Sequence, residues 1–255
     1  MDSPTYHTTR SAWERIWREE GFLARELETL EYARSRQTRA LYLPHLPRDG
    51  LLLEAGCGVG IQLIQLGQMG YRMIGVDYAE NALAQLHGPF PECAVTAGDI
   101  HRLPFDRGTL AGYLSFGVLE HFEFGPGPAL LEAHRVLRPG GILVVAIPYP
   151  SLVWRLVRIR HQFARPRQRS KPTYYETAYT VHRMEEETRK AGFSVLERHP
   201  IGHSFTLWGL GPHFRGPGYY ETSPLADRLG GLLRRWAPWL MCFESLIIAR
   251  KEPPH

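Results

Sequence analysis

The feature that most constrains the fold is the stretch Leu51-Leu52-Leu53-Glu54-Ala55-Gly56-Cys57-Gly58-Val59-Gly60. A short apolar run ends on an acid, and glycine then occupies every second position. A run that is apolar on both sides suits a central parallel strand buried on two faces. Glycines 56, 58 and 60 let the chain turn sharply and let a ligand approach bare backbone. Ile61-Gln62-Leu63-Ile64-Gln65-Leu66 follows with helical spacing and stops at Gly67 and Gly70. Strand, glycine turn and helix N-terminus make a place for a polar or anionic, nucleotide-like ligand. A dinucleotide site needs Gly-x-Gly-x-x-Gly. Counted from Gly56, its third glycine falls on Ile61, which disfavours a pyrophosphate. A glycine turn that binds nothing has the same local pattern.

Downstream, Met73–Asp77 reads as a second strand ending on a carboxylate. Asp77 lies at about the ~20-residue distance at which such an acid meets ribose hydroxyls. A carboxylate accepts from both hydroxyls at once. The alternative is a cap for a helix over 79–86. Tyr78 follows, an aromatic placed to lie against a base. Cys93–Ile100 reads as a third strand ending near Asp99, with an Asx-turn as the alternative for that acid. His101 either faces the site or is a solvated loop histidine. Leu110–Gly117 is the fourth strand. A helix over Pro128–Leu137 is ended by Arg138-Pro139-Gly140-Gly141. Ile142–Pro148 is apolar throughout and therefore a central fifth strand. A helix over His182–Ala191, a strand over Phe193–Ile201 and a last strand over Cys242–Lys251 complete the order. Strands alternating with helices specify a doubly wound α/β sheet with its ligand at the carboxyl ends of the central strands.

The pattern Glu-x-Gly-x-Gly-x-Gly at 54–60 resembles motif I of the class I S-adenosylmethionine-dependent methyltransferases. AGDIHRLPF at 97–105 is similar to that family's adenine motif. SFGVLEHF at 115–122 and HRVLRPGGILVVAIP at 134–148 resemble its small-molecule, ubiquinone-biosynthesis-like branch, the type 11 family. The resemblance implies a seven-stranded, mostly parallel, Rossmann-like sheet in the order 3-2-1-4-5-7-6, with a helical N-terminal extension and two lid insertions. It implies S-adenosyl-L-methionine as cofactor and no metal. Carried over, Glu54, Gly56, Cys57, Gly58 and Gly60 hold the methionine end, and Asp77 and Tyr78 meet ribose and adenine. Asp99 and the Ile100 N–H also meet the adenine, while Ser115 and Phe116 touch the methionine part. His121 falls near the transferring methyl, as a base for the acceptor or as an organiser of the loop with Glu120. Strand four ends in Leu-Ser-Phe-Gly rather than Asn/Asp-Pro-Pro-Tyr, which argues against the adenine- and glutamine-amino methyltransferases. The implied activity is methyl transfer to O, N or C of a small-molecule acceptor, lipid-like ones included. A non-catalytic module holding the cofactor or S-adenosylhomocysteine is the alternative.

Four regions follow: a helical extension over 1–46, a cofactor-binding core over 47–150, a basic insertion over 151–177, and a C-terminal part over 178–255 containing an insertion at 202–240. In the extension, Ser11 and Glu14 read as a capping box opening a helix that carries Trp13, Ile16 and Trp17. Tyr6, Trp13 and Trp17 either roof the pocket or simply pack. In 151–171, Leu152, Leu156, Ile159 and Phe163 recur at helical spacing among arginines, without an acid. Over 224–236, Leu225, Leu229, Leu232, Leu233 and Trp236 share a face. Both stretches suit either peripheral membrane contact or a lid whose leucines cover the acceptor pocket. Tyr174, Tyr175 and Tyr179 either line that pocket or pack. A net charge of +4 hints only weakly at acidic partners, and no nucleic acid is expected. Three scattered cysteines, no secretory leader and no apolar run of ~20 residues lead to an expectation of a reduced, cytoplasmic protein. Oligomeric state is left open.

Overall fold

The computed structural model describes residues 4–19, 21–153, 155, 156, 159 and 176–253. Seven strands form one sheet: β1 Leu51–Ala55, β2 Arg72–Asp77, β3 Val95–Ala97, β4 Leu110–Phe116, β5 Leu137–Pro148, β6 Phe193–Ile201 and β7 Glu244–Lys251. Their order is β3-β2-β1-β4-β5-β7-β6, as the family resemblance implies. The first five run parallel, and β7 pairs antiparallel with both β5 and β6. This antiparallel insertion sets Glu244, the start of β7, beside Pro148, the end of β5. Both lie on the same edge of the sheet as the ends of β1 and β2.

The helices are α1 Pro4–Ile16, α2 Phe22–Thr29, α3 Ala33–Tyr42, α4 Ile61–Gln68, α5 Glu80–His87, α6 Gly127–Val136, α7 Val181–Lys190, α8 His203–Trp208 and α9 Pro224–Trp236. The continuous apolar strands are covered on both faces, as a parallel sheet requires. On one face, Leu53, Leu143 and Val145 meet Leu130 and Ala133 of α6 and Met184 of α7. On the other, Leu52, Leu114 and Val144 meet Tyr42 of α3 and Leu66 of α4.

Three expectations are corrected. Ser11 caps nothing: α1 begins at Pro4, so Ser11 sits inside the helix, and Ala12 beside it is buried. The glycines after α6 do not separate helix from strand. The helix ends at Val136 and β5 begins at once, with Leu137 opposite Leu110. The register then jumps to Gly112 opposite Ile142, so 138–141 bulge out inside the strand. Cβ on Gly141 would sit 2.8 Å from the Arg138 carbonyl oxygen, which explains glycine there. The third strand is shorter than read, three residues instead of eight. Most of the basic run lies outside the described residues, including Arg158, Phe163, Tyr174 and Tyr175, as does the Tyr6 side chain.

Candidate active site

At the end of β1 the chain must turn into α4, and Gly60 makes the turn at φ +69 without a capping side chain. Glu54 supplies the cap instead. Its Oε2 accepts from the Leu63 N–H at 2.8 Å, which sets a carboxylate against the positive helix end. Burial nevertheless pushes Glu54 up to about 8; the Leu63 bond opposes this and nearby Asp77 adds to it.

Asp77 ends β2 and ties the loop together. Oδ2 accepts from Gly58 N and Oδ1 from Ala79 N, each at 2.8 Å. Each oxygen retains a further acceptor position. Burial raises its pKa, against the pull of the Ala79, Gly58 and Tyr78 N–H groups. Gly58 sits at φ +53, and a Cβ there would lie 2.7 Å from the Trp17 indole. The bare backbone is thus covered by an aromatic of the chain itself.

Asp99 follows β3, and its Oδ1 accepts from His101 N at 2.9 Å and pairs with His101 Nδ1 at 2.7 Å. Burial raises its pKa, but these His101 contacts outweigh it and hold the carboxyl below its ordinary value. His101 is not solvated. Its side chain is 7% exposed and stands edge-on to Phe122, with ring centres 4.3 Å apart.

These groups line one cavity of about 460 Å3 at the carboxyl edge of the sheet. Its floor includes Glu54, Gly56, Cys57, Asp77, Asp99 and Ile100; Phe116, Val118 and His121 close the β4 side. The roof is the N-terminal extension. Trp13 and Trp17 of α1 stack 5.4 Å apart, and Trp13 stands edge-on to His121 at 5.1 Å. Hydrogen bonds from Asn81 Nδ2 to the Glu14 carbonyl, at 2.6 Å, and from Gln85 Nε2 to the Trp17 carbonyl latch α1 to α5. Beside the histidine, Glu120 is 3% exposed, with Oε1 3.9 Å from His121 Nε2. Burial holds the Glu120 carboxyl far above the usual range.

A second chamber of about 250 Å3 shares Glu26, Gln62, Phe116 and Tyr220 with the first. Arg34, Phe205, Phe243 and Glu244 also line it. Arg34 lies 4.9 Å from the ring centres of both Tyr32 and Phe205 and donates to the Tyr220 carbonyl at 2.7 Å. Burial pushes Glu244 up to about 7, with Arg34 opposing.

Most of the sequence-selected residues therefore surround one space. Gly60 and Ser115 do not line it, and Ser115 is buried within β4. Sequence reading missed Glu26 and Phe22 of α2, Gln62, and the Tyr219–Tyr220 pair. The last two come from the 202–240 insertion, where the composition was aromatic but nothing indicated which rings turn inward.

Residues 53–145 match the family model described as a methyltransferase domain. A probable S-adenosylmethionine-dependent methyltransferase of Mycolicibacterium smegmatis is 33% identical over 97 residues, covering 38% of this chain and 37% of the relative. The chain spans less than half the length of the curated relatives it matches. Among solved structures, a chain of the complex between the Haloferax volcanii Trm112 methyltransferase activator and a methyltransferase described as putative superposes with TM-score 0.63. Its identity is 19%, with 96% of this chain and 98% of that one covered. A Burkholderia thailandensis 1,6-didemethyltoxoflavin-N1-methyltransferase superposes at 0.60 with 18% identity, covering 99% and 92%. The domain match over 53–145 and the strand order agree with each other, and both support a class I S-adenosylmethionine-dependent methyltransferase.

Proposed function

We propose that this chain transfers the methyl group of S-adenosylmethionine to a small-molecule acceptor. The observation that carries the reading is the convergence of Glu54, Asp77 and Asp99, from three adjacent parallel strands, on a cavity sharing its wall with a second chamber. The donor set suits the cofactor. The open acceptor positions of Asp77 suit a ribose diol, and Tyr78, Ile100 and Phe122 offer apolar walls to adenine. Glu54 sets an acid beside the amino-acid end, where cationic charge lowers its raised pKa. The bound cofactor supplies a methyl already activated on a sulfonium.

What remains for the protein is alignment and proton management. Phe116, Gln62 and Tyr220 border both spaces and would set the acceptor's approach. Arg34 and Glu244, among Phe205 and Phe243, suit an acceptor with an apolar or aromatic body and a polar substituent. The Burkholderia neighbour, described with bound 1,6-didemethyltoxoflavin and S-adenosylhomocysteine, supports a small-molecule acceptor. His121 would take the acceptor's proton on a ring nitrogen. The Glu120 carboxyl beside it, held well above the usual range by burial, would hold the loop rather than act at the acceptor.

The test is incubation with methyl-labelled S-adenosylmethionine and a panel of small hydroxylated, amino and enolic compounds, following S-adenosylhomocysteine. Labelled product with stoichiometric S-adenosylhomocysteine is expected for at least one acceptor. Intact cofactor binding with all label retained would favour the binding-module reading.

A further inference from the structure

The helix α9 turns part of its apolar stripe outward and keeps Leu229 and Leu233 half-buried. Leu225, Leu232 and Trp236 are 50%, 55% and 76% exposed, and their spacings of seven and four put them on one face. The buried face is made of Ala226 and Gly230. A Cβ on Gly230 would lie 2.7 Å from the Ser204 backbone nitrogen in α8, so α9 approaches its neighbour through its smallest residues. No residue of α9 lines either chamber. A lid over the acceptor would need the leucines turned in, and that expectation for 224–236 does not hold.

The start of the basic insertion at 151–177 meets the chain just past α9. The Leu240 carbonyl, past the end of α9, accepts from the Leu152 N–H at 3.2 Å. Leu240, Leu152, Leu156 and Ile159 are each about half exposed. Two elements distant in sequence thus bring exposed apolar side chains to one junction.

Positive charge borders it. Arg155, Arg228, Arg234 and Arg235 are exposed, and the Arg235 guanidinium lies 5.5 Å from the Trp236 ring centre. The one acid of α9, Asp227, is partly buried and accepts from Thr222 Oγ1 at 2.7 Å. A self-paired interface would bring these arginine borders against each other, a like-charge arrangement that costs binding. An anionic partner suits the charge, and leucines with a tryptophan beside arginines suit the boundary between headgroups and acyl chains.

We infer that this face docks on an anionic membrane surface, with Leu225, Leu232 and Trp236 in the interface and the arginines against lipid phosphates. The placement is independent of the cofactor assignment, since none of these residues touches the cavity.

Flotation of the full chain with phosphatidylglycerol-containing and pure phosphatidylcholine vesicles, at low and high salt, tests it. Binding to the anionic vesicles that salt weakens is expected. Arg228→Ala with Arg235→Ala lowers partitioning by about 25-fold, at about fivefold per charge. Leu232→Ser with Trp236→Ser lowers it by at least about tenfold. Both variants alter exposed side chains and keep the parent's thermal unfolding and S-adenosylhomocysteine affinity. Absence of binding to anionic vesicles at low salt, or binding indifferent to Leu232→Ser with Trp236→Ser, overturns the proposal. So does a dimer in sedimentation velocity that this double variant dissolves, which would assign the face to a second copy.

Discussion

Replacing Asp77 by alanine separates the backbone tether seen in the structure from the ribose contact proposed for the same side chain. Its carboxylate accepts from Gly58 N and Ala79 N, so the variant leaves two backbone donors unpaired near the end of β2. Hydrogen bonds to a charged group contribute about 1.5–3 kcal/mol each. Burial of the charge offsets part of this, as the upward pKa shift shows. The expected loss of stability is therefore about 2–4 kcal/mol, read as a lower urea midpoint at unchanged slope. Loss of the proposed ribose contacts should further weaken S-adenosylhomocysteine binding by about 10²–10³-fold in calorimetry on the folded variant. Asp77→Asn is the control. One of its two terminal atoms is an N–H donor and must face Gly58 or Ala79, so it restores volume but only one of the two backbone bonds. A folded Asp77→Ala protein that binds S-adenosylhomocysteine within about twofold of the parent would refute the ribose role and leave Asp77 as a backbone tether alone.

Gly58→Ala should cost about 1–2 kcal/mol for a left-handed φ, and should also displace Trp17, which quenching of roof tryptophan fluorescence would report. In the ligand-free protein, Glu54 and Glu244 titrate higher than in the unfolded chain, at about 8 and about 7. The folded state thus binds more protons, and stability falls as pH rises from about 4.5 toward 8, at up to about 1.4 kcal/mol per unit for each group. Urea midpoints against pH read this, and a midpoint that rises over the window contradicts it. His121→Ala should lower kcat by about 10²–10⁴ with cofactor affinity unchanged; an unchanged kcat with a raised acceptor KM would make His121 a positioning residue.

The glycine turn and most of the strands were legible in local pattern, whereas the strand order came from the family resemblance. Leu51–Leu53 is apolar on both faces, as a central parallel strand covered by helices on both sides requires. Asp77 was legible as a strand-end acid, but its grip on Gly58 was not, because that bond spans 19 residues. Tyr219, Tyr220 and Glu26 reach the cavity through tertiary packing of an insertion and an extension, for which no periodicity exists. The orientation of α9 misled for a definite reason. Its leucine stripe is the stronger periodic signal, yet close packing on Ser204 selects Ala226 and Gly230 for the inner face. The cap expected at Ser11 failed because α1 already runs from Pro4.

The central claim is that the cavity at the ends of β1, β2 and β3 is built for an adenosyl amino acid and not for a dinucleotide. Isothermal titration of the purified chain with S-adenosylhomocysteine, and in parallel with NAD, measures this directly. One-to-one binding of S-adenosylhomocysteine with no heat from NAD is the predicted result. Saturable NAD binding with no response to S-adenosylhomocysteine would contradict it.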